Sequence, residues 1–500
     1  MLKKILIANR GEIAVRIQRA CRELGIATVA VFSEGDRASL HVRYADEAYL
    51  VGPTLARDSY LNMDRILEVA RASGAQAVHP GYGFLAEREE FVRRCEAAGV
   101  AFIGPPSQAI RALGTKTAAR QLATRIGVPV VPGEVEELTD EGAEAAALRL
   151  GLPVAIKAVA GGGGKGMRVV QAPTDLASAI RAARSEAESS FGNSAIYVEK
   201  FLPAPRHIEV QILADRSGHT VSLGERESSI QRRHQKVIEE APSPIVDPDL
   251  RARMGEAAVR LAREAGYVNA GTMEFLVDAD RRFYFLEANT RLQVEHPVTE
   301  MVTGLDLVKT QIRLAAGESL ALWEEEFAIR GAAIECRIYA EDPFRGFVPS
   351  PGRILGLREP GGPGVRVDGG VYEGYDILPH YDPLIAKVIT WGRDRVEAVE
   401  RMRRALREYR IQGIKTTIPF HQQVMADAAF LRADVDTTYI DRRFPDRPHA
   451  WSESERETAL VAASVHAFLA ERSQPGAATE RDGPAASPWV LAARRAGMRR

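Results

Sequence analysis

Apolar and polar positions alternate in two rhythms over the first hundred residues. KKILIA is a short apolar run, and GEIAVRIQRACRELG after it places its apolar residues at helical spacing. The same succession repeats through the strand TVAVF, a helix near 60–73, the strand AQAVHP, a helix over 86–98 and the strand VAFIG. Strands that alternate with helices predict a parallel, doubly wound sheet. The first strand-to-helix turn, Ala8-Asn9-Arg10-Gly11-Glu12, carries one glycine where a dinucleotide fingerprint needs three, which speaks against a nicotinamide cofactor.

The rhythm changes at about residue 114. A helix over 116–127, VAIKAVA, a glycine loop, MRVV, a helix over 176–189 and AIYVEKFL make a small α/β unit. Strands at HIEVQILAD and TVSLGERES follow, then an amphipathic helix over 249–265 and a hairpin in GTMEFLVDADRRFYFLEAN. A third unit, rich in Gly and Pro, opens near Ala332 and closes with a helix over 395–409. Past Pro448 the pattern predicts one helix, a Ser/Pro/Gly/Ala stretch over 473–488 and a basic end; no internal repeat is visible.

Length agrees with this division, since 500 residues correspond to about three domains. A formal charge of -1 excludes a generally basic nucleic-acid binder. No apolar run approaches the ~20 residues of a membrane helix, and the start MLKKILIANRGE fits neither a signal nor a transit peptide. Three cysteines, none in CxxC spacing, give no disulfide framework. A soluble, cytoplasmic, multidomain chain is the expectation.

The candidate chemistry begins at Lys157-Ala-Val-Ala-Gly161-Gly162-Gly163-Gly164-Lys165-Gly166. This is either a flexible linker or a loop whose bare backbone N–H groups approach phosphate oxygens. Strand-like flanks favour the second reading, and the lack of Ser or Thr after the lysine excludes a Walker A loop. The hairpin is more telling. A turn centred between Asp280 and Arg281 sets Glu274 opposite Glu287, two carboxylates with Cβ atoms ~5 Å apart. Like charges so placed call for a cation, and hard oxygen ligands suit Mg²⁺ or Mn²⁺; a register shift by one would separate them. If the next segment stays extended, Glu287, Asn289, Arg291, Gln293 and Glu295 share one face. Asn289 would complete coordination, Arg291 would fork onto a small oxyanion and Glu295 is a candidate base, whereas a solvated edge strand would show the same alternation. Gln231-Arg232-Arg233-His234-Gln235-Lys236 reads as a solvated basic face or a nucleic-acid patch, and Arg337 and His79-Pro80-Gly81-Tyr82-Gly83 stand out little by themselves.

Together these residues resemble the biotin carboxylase family, within the ATP-grasp superfamily. IANRGEIAVRI, HPGYGFLAE, GGGGKGMRVV, QRRHQKVIEEAP, NTRLQVEHPVTEM and ECRIYAEDP occur in that order between Met1 and about Phe444. The resemblance implies a Rossmann-like N-terminal domain over 1–113, an ATP-grasp domain over 114–331 with a mobile lid over about 130–203, a barrel-sandwich C-terminal domain over 332–446 and a tail over 447–500. The fold class is thus mixed α/β and α+β, multidomain.

By that resemblance ATP would contact Lys116, Lys157, Gly163, Gly164, the hinge Glu199-Lys200-Phe201-Leu202, His207 and His234, together with Glu274 and Glu287. Metal, as Mg²⁺ or Mn²⁺, would sit on Glu274, Glu287 and Asn289. Bicarbonate would meet Lys236, Arg291 and the Val294 N–H; Glu295 would be the base; Arg337 would meet the biotin ureido oxygen, with Tyr82, Gly83 and Gln293 near. Ala160, Lys165, Phe201 and Pro363 depart from residues frequent in the family, while Arg19, Glu23 and Arg366 match its dimer face. The implied reaction is ATP-dependent carboxylation of biotin with bicarbonate, through carboxyphosphate and CO₂, with another ATP-grasp carboxylate ligase as the nearest alternative. None of the nine methionines adjoins a lysine, so biotin is expected on a separate carboxyl carrier protein, not on this chain. The implied partners are that carrier, a carboxyltransferase and a second copy of the chain, with neither nucleic acid nor membrane; acetyl-CoA, propionyl-CoA and pyruvate all stand as final acceptors.

Overall fold

The computed structural model describes residues 2–134, 137–159, 167–322, 327–445 and 453–473. Two compact units divide at residues 447 and 448. The first opens with the predicted parallel sheet: β1 (Lys4–Ile7), β2 (Ala27–Ser33), β3 (Glu47–Gly52), β4 (Ala77–His79) and β5 (Ala101–Phe102) lie in the order β3-β2-β1-β4-β5. Helix α1 (Gly11–Glu23) follows β1 through a turn whose Asn9 Nδ2 donates to the carbonyls of Pro80 and Tyr82, at 2.6 and 2.8 Å. That side chain ties the first turn to the HPGYG loop. A Cβ on Gly81, at φ +63°, would meet Asn9 Nδ2 at 2.9 Å, so this close approach requires glycine. The sequence pattern omits β3, whose EAYLVG is half buried and carries Glu47 and Gly52 at its ends.

A small antiparallel sheet comes next, built from β6 (Val154–Ala158), β7 (Met167–Val170) and β8 (Ile196–Lys200) in the order β7-β6-β8. Helices Asp140–Leu150 and Leu176–Phe191 cover it through a core of small residues, Ala143, Ala146, Ala147 and Ala183, against Ile156 and Val198. The glycine loop joining β6 to β7, with Gly163 and Gly164, lies outside the described residues.

The site rests on a third sheet of eight antiparallel strands. Its order is β13 (Phe283–Asn289), β12 (Asn269–Val277), β9 (Arg206–Ala214), β10 (Thr220–Arg232), β11 (Gln235–Ala241) and β14 (Ala332–Tyr339), then strands Leu384–Gly392 and Val365–Gly369. One ladder therefore runs from the segment before residue 331 into the segment after it through the β11–β14 pairing. Helix Pro248–Glu264 packs one part of the sheet with Leu250, Met254, Ala257, Ala258 and Leu261, and helix Arg395–Glu408 packs another with Ala398, Val399, Met402 and Leu406. The basic run at 231–236 is the turn between β10 and β11, with Arg233 and His234 at φ 49° and 65°.

No helix among the described residues is long and apolar enough to cross a membrane. In the second unit the described residues form the helix Glu453–Ser473, and the basic end expected from the sequence lies beyond them.

Candidate functional site

Cross-strand register builds the site. Glu287 on β13 lies opposite Glu274 on β12, Glu274 opposite Glu209 on β9, and Glu209 opposite Arg226 on β10. Three carboxylates thus stand side by side on one face, an arrangement that needs cations to persist. Arg226, fully buried, bonds Glu209 and also donates to Gln211 at 2.7 Å and to the hydroxyls of Thr272 and Thr299, each at 3.0 Å. The Glu274–Glu287 pairing has a different origin from the one the turn predicts. Near the turn, Val277 faces Phe283 and Phe275 faces Phe285, which centres the turn on Asp280; a bulge at Leu286 then restores Glu274 to Glu287.

Lys236 reaches into this row from the start of β11. Its Nζ bonds Glu209, donates to Glu274 at 2.6 Å and donates to Glu295 at 2.7 Å. Glu295 Oε2 accepts from Arg337 Nη2 at 2.9 Å, and Arg337 Nε donates to Glu239 at 2.7 Å. Burial opposes ionisation of Glu295, yet Lys236, Arg337 and Arg226 outweigh it and hold the carboxyl well below its usual range. Glu274 is treated alike: burial raises it, and Lys236 with His207 pull it far down. Burial lowers the Lys236 ammonium, while Glu209, Glu274 and Glu295 together raise it well above its ordinary value.

The expected extension of the strand through Glu295 does not occur. β13 ends at Asn289, and residues 290–295 form bends and a turn before helix His296–Thr303. Arg291 explains the departure: its Nε donates to Glu87 of the N-terminal segment at 2.9 Å, while its Nη atoms donate to Asn289 and Gln293. The polar residues still converge on one cavity of about 620 Å³, lined among others by Lys116, Lys157, Glu199, His207, Lys236 and Arg337. Glu295 lies beneath it, fully buried, and Val294 is held through its carbonyl by Lys387 Nζ at 2.8 Å.

Toward the small sheet the side chains are already paired. Lys157 and Arg120 both bond Glu199, and Lys116 meets Glu287 at 2.9 Å. At the hinge, Lys200 turns its Nζ onto the carbonyls of Gly151 and Leu152, and the Phe201 N–H donates to Pro153 at 3.1 Å. Gln231 donates to His207 Nδ1 at 2.6 Å, leaving Nε2 to donate to Glu274 at 2.7 Å. Tyr82 and Gly83 lie outside the cavity lining; the Tyr82 hydroxyl bonds Glu12, with Arg337 within electrostatic reach.

Two donor sets could hold a cation. Glu274, Glu287 and Asn289 offer oxygens from paired strands. His207, Glu209 and Glu274 also bring ligand atoms within 4.8 Å of one another. Imidazole is the poorer donor for a hard ion, so the first set, all oxygen, is the better fit to Mg²⁺.

Glu209, Arg226, Glu239, Arg120 and Lys387 escape the sequence reading. Period-two alternation of His207, Glu209 and Gln211 inside HIEVQ is the signal that could have found Glu209. Pairing across distant strands, which supplies Glu239 and Lys387, leaves no local trace.

Known proteins share this architecture. Residues 1–110 match "Biotin carboxylase, N-terminal domain", 115–323 match "Carbamoyl-phosphate synthase L chain, ATP binding domain" and 335–442 match "Biotin carboxylase C-terminal domain". The biotin carboxylase of Nostoc sp. is 54% identical over 439 residues, 87% of this chain and 98% of that protein. Biotin carboxylase 1 of Bacillus subtilis is 53% identical over 443 residues, 88% of this chain and 98% of its own length. Among solved structures, the biotin carboxylase domain dimer of Hydrogenobacter thermophilus 2-oxoglutarate carboxylase, with MgADP, ADP and bicarbonate, superposes with a TM-score of 0.86 at 48% identity, covering 91% of this chain and all of that one.

Proposed function

The chain belongs to the biotin carboxylase family, and from that premise we propose that it carboxylates biotin with bicarbonate and ATP, the biotin being presented by a separate carrier protein. The observation that carries this reading is the buried Lys236–Glu295–Arg337 cluster at the floor of a cavity whose other walls bear lysines and hard oxygen donors.

Each charged group has a task in that chemistry. Bicarbonate is a poor electrophile and has to be phosphorylated before its carbon can be transferred. Lys236, Arg291 and the Val294 N–H hold it, and Lys387 anchors Val294 through its carbonyl. Glu295, kept ionised by its two cations, takes the bicarbonate proton as the oxygen attacks the γ-phosphorus and the bond to ADP breaks. Lys116 and Lys157 lie where triphosphate charge would be offset, together with Gly163 and Gly164 of the glycine loop. Glu199 serves by anchoring Lys157, and the backbone of Lys200, Phe201 and Leu202 with His207 and His234 borders the nucleotide. Glu274, Glu287 and Asn289 would hold Mg²⁺, which screens the phosphate oxygens when bound.

Carboxyphosphate then breaks to CO₂ and phosphate in a site from which the small sheet, as a lid over about 130–203, excludes water. Phosphate accepts the biotin N1′ proton, the ureido oxygen takes the negative charge, and Arg337 stabilises it with Gln293, Tyr82 and Gly83 near by. The nucleophilic nitrogen attacks CO₂. One proton leaves per turnover, the one Glu295 removed.

The carrier and a carboxyltransferase complete the sequence as separate chains. Arg19, Glu23 and Arg366 would contribute to a dimer face, and a cytoplasmic location is proposed with it, since no helix among the described residues is long and apolar enough to cross a membrane. Incubation with labelled bicarbonate, MgATP and free biotin tests the reading: label appears in acid-labile carboxybiotin. Phosphate release without labelled biotin would overturn it.

A further inference from the structure

Behind the floor of the cavity lies a pair of carboxyl groups with no role in the steps above. Glu239 on β11 and Glu335 on β14 are direct partners across the ladder, both fully buried. Direct partners project to the same face, with Cβ atoms ~5 Å apart. Arg337, two residues after Glu335 on β14, shares that face and bonds Glu239 Oε1 through Nε at 2.7 Å. Glu239 Oε2 and both oxygens of Glu335 have no hydrogen-bond partner. Two buried, facing carboxylates with three bare oxygens are far too costly to be both ionised, and a proton between them removes the repulsion and satisfies oxygens on both sides.

We propose that Glu239 and Glu335 share one proton, and that the resulting singly charged pair is a positioning device that sets the guanidinium of Arg337 for the biotin carbonyl. The proposal rests on the role given to Arg337 above and adds the residues that act through it. Glu239 carries the charge that grips Arg337, and Glu335 carries the proton.

The surroundings agree. The charged and titratable groups acting on the pair are Arg337 and Tyr339 on β14, Lys236 on β11, Lys387 on strand Leu384–Gly392 and Glu295 in the turn above, and helix His296–Thr303 packs over these strands. Burial pushes Glu335 well up, against Lys387 and Arg337 and with Glu239 adding to the rise. Burial likewise pushes Glu239 up to about 7, opposed by Arg337 and reinforced by Glu295. Above that pH the pair holds one proton and its charge grips Arg337; below it a second proton arrives and the grip weakens to a neutral hydrogen bond.

Two measurements decide the matter. The first is the infrared difference between the wild-type protein and Glu335→Gln at pH 8, where the wild type should show a protonated-carboxyl band that shifts in D₂O and is missing from the variant. The second is the ratio of biotin carboxylation to the bicarbonate-dependent ATPase measured without biotin. In the wild type this ratio should rise with pH through about 7. In Glu239→Gln the rise should vanish, and the biotin KM should increase about tenfold while the ATP KM stays within about twofold, the scale of one lost charge-assisted contact. A missing band, a pH-independent wild-type ratio, or equal losses of both activities in Glu239→Gln would overturn the proposal. If a variant does not fold, the wild-type ratio still decides. Absence of all biotin turnover would instead count against the proposed function, while the infrared band would still report on the pair.

Discussion

Glu295 and Arg337 show how single residues divide the reaction. Lys236 and Arg337 hold Glu295 ionised, as the proposed base role requires, and Glu295→Gln should keep ATP binding while turnover falls about 10²-fold or more. Near-wild-type turnover in the folded variant, followed by ADP release, would remove it from that role. Arg337→Ala should lose about 10²-fold in biotin carboxylation but far less in the bicarbonate-dependent ATPase, because its charge is needed once the ureido oxygen becomes negative; parallel assays of the two activities check this. The same ion pairs set the acid stability. Glu274 and Glu295 are held below their ordinary value of 4.5, so their contribution is present above about that pH and is lost as pH falls toward the folded-state values. Denaturant unfolding of Glu295→Gln should therefore show a shallower decline between about pH 4.5 and 3 than the wild type.

Elements explain which parts of the site are legible in the chain. Strong periodicity marks the parallel sheet, the helices around it and the β12–β13 hairpin, because alternation and apolar spacing are local. The β10–β11 hairpin escapes: its turn places Arg233 and His234 in the left-handed region with no glycine or asparagine to announce it. A β-branched residue tolerates that backbone poorly, so Arg233→Val should cost about 1–2 kcal/mol in denaturant unfolding, whereas Arg233→Asn should cost less. The β12–β13 hairpin also shows an expectation met through compensation. A turn one half-residue from its expected centre and a bulge at Leu286 cancel, so Glu274 still faces Glu287. Beyond Asn289 alternation predicts a continuing strand, and the Arg291–Glu87 pair, which joins residues 204 positions apart, bends it away. The glycine loop stands out by composition, whereas the hinge and Arg337 are named only through the family resemblance, since periodicity could rank neither.

At the scale of the whole molecule, one antiparallel sheet carries Glu274, Lys236 and Arg337 on neighbouring stretches of its ladder, so the proposed nucleotide and biotin chemistry would share one floor. The residues that line the cavity all belong to the unit that ends at Arg447. Ending the chain at Arg447 should therefore leave free-biotin carboxylation within about twofold of the full chain, since changes that touch no residue of the site are usually near neutral; a steady-state comparison of the two proteins measures this. The chain should also give no avidin signal after expression with an active biotin ligase, as expected for an enzyme that serves a separate carrier. The most direct test of the account is ADP release measured with bicarbonate removed, restored, and restored together with free biotin. ADP should form only when bicarbonate is present and should rise further with biotin; equal ADP formation without bicarbonate would contradict the account at its centre.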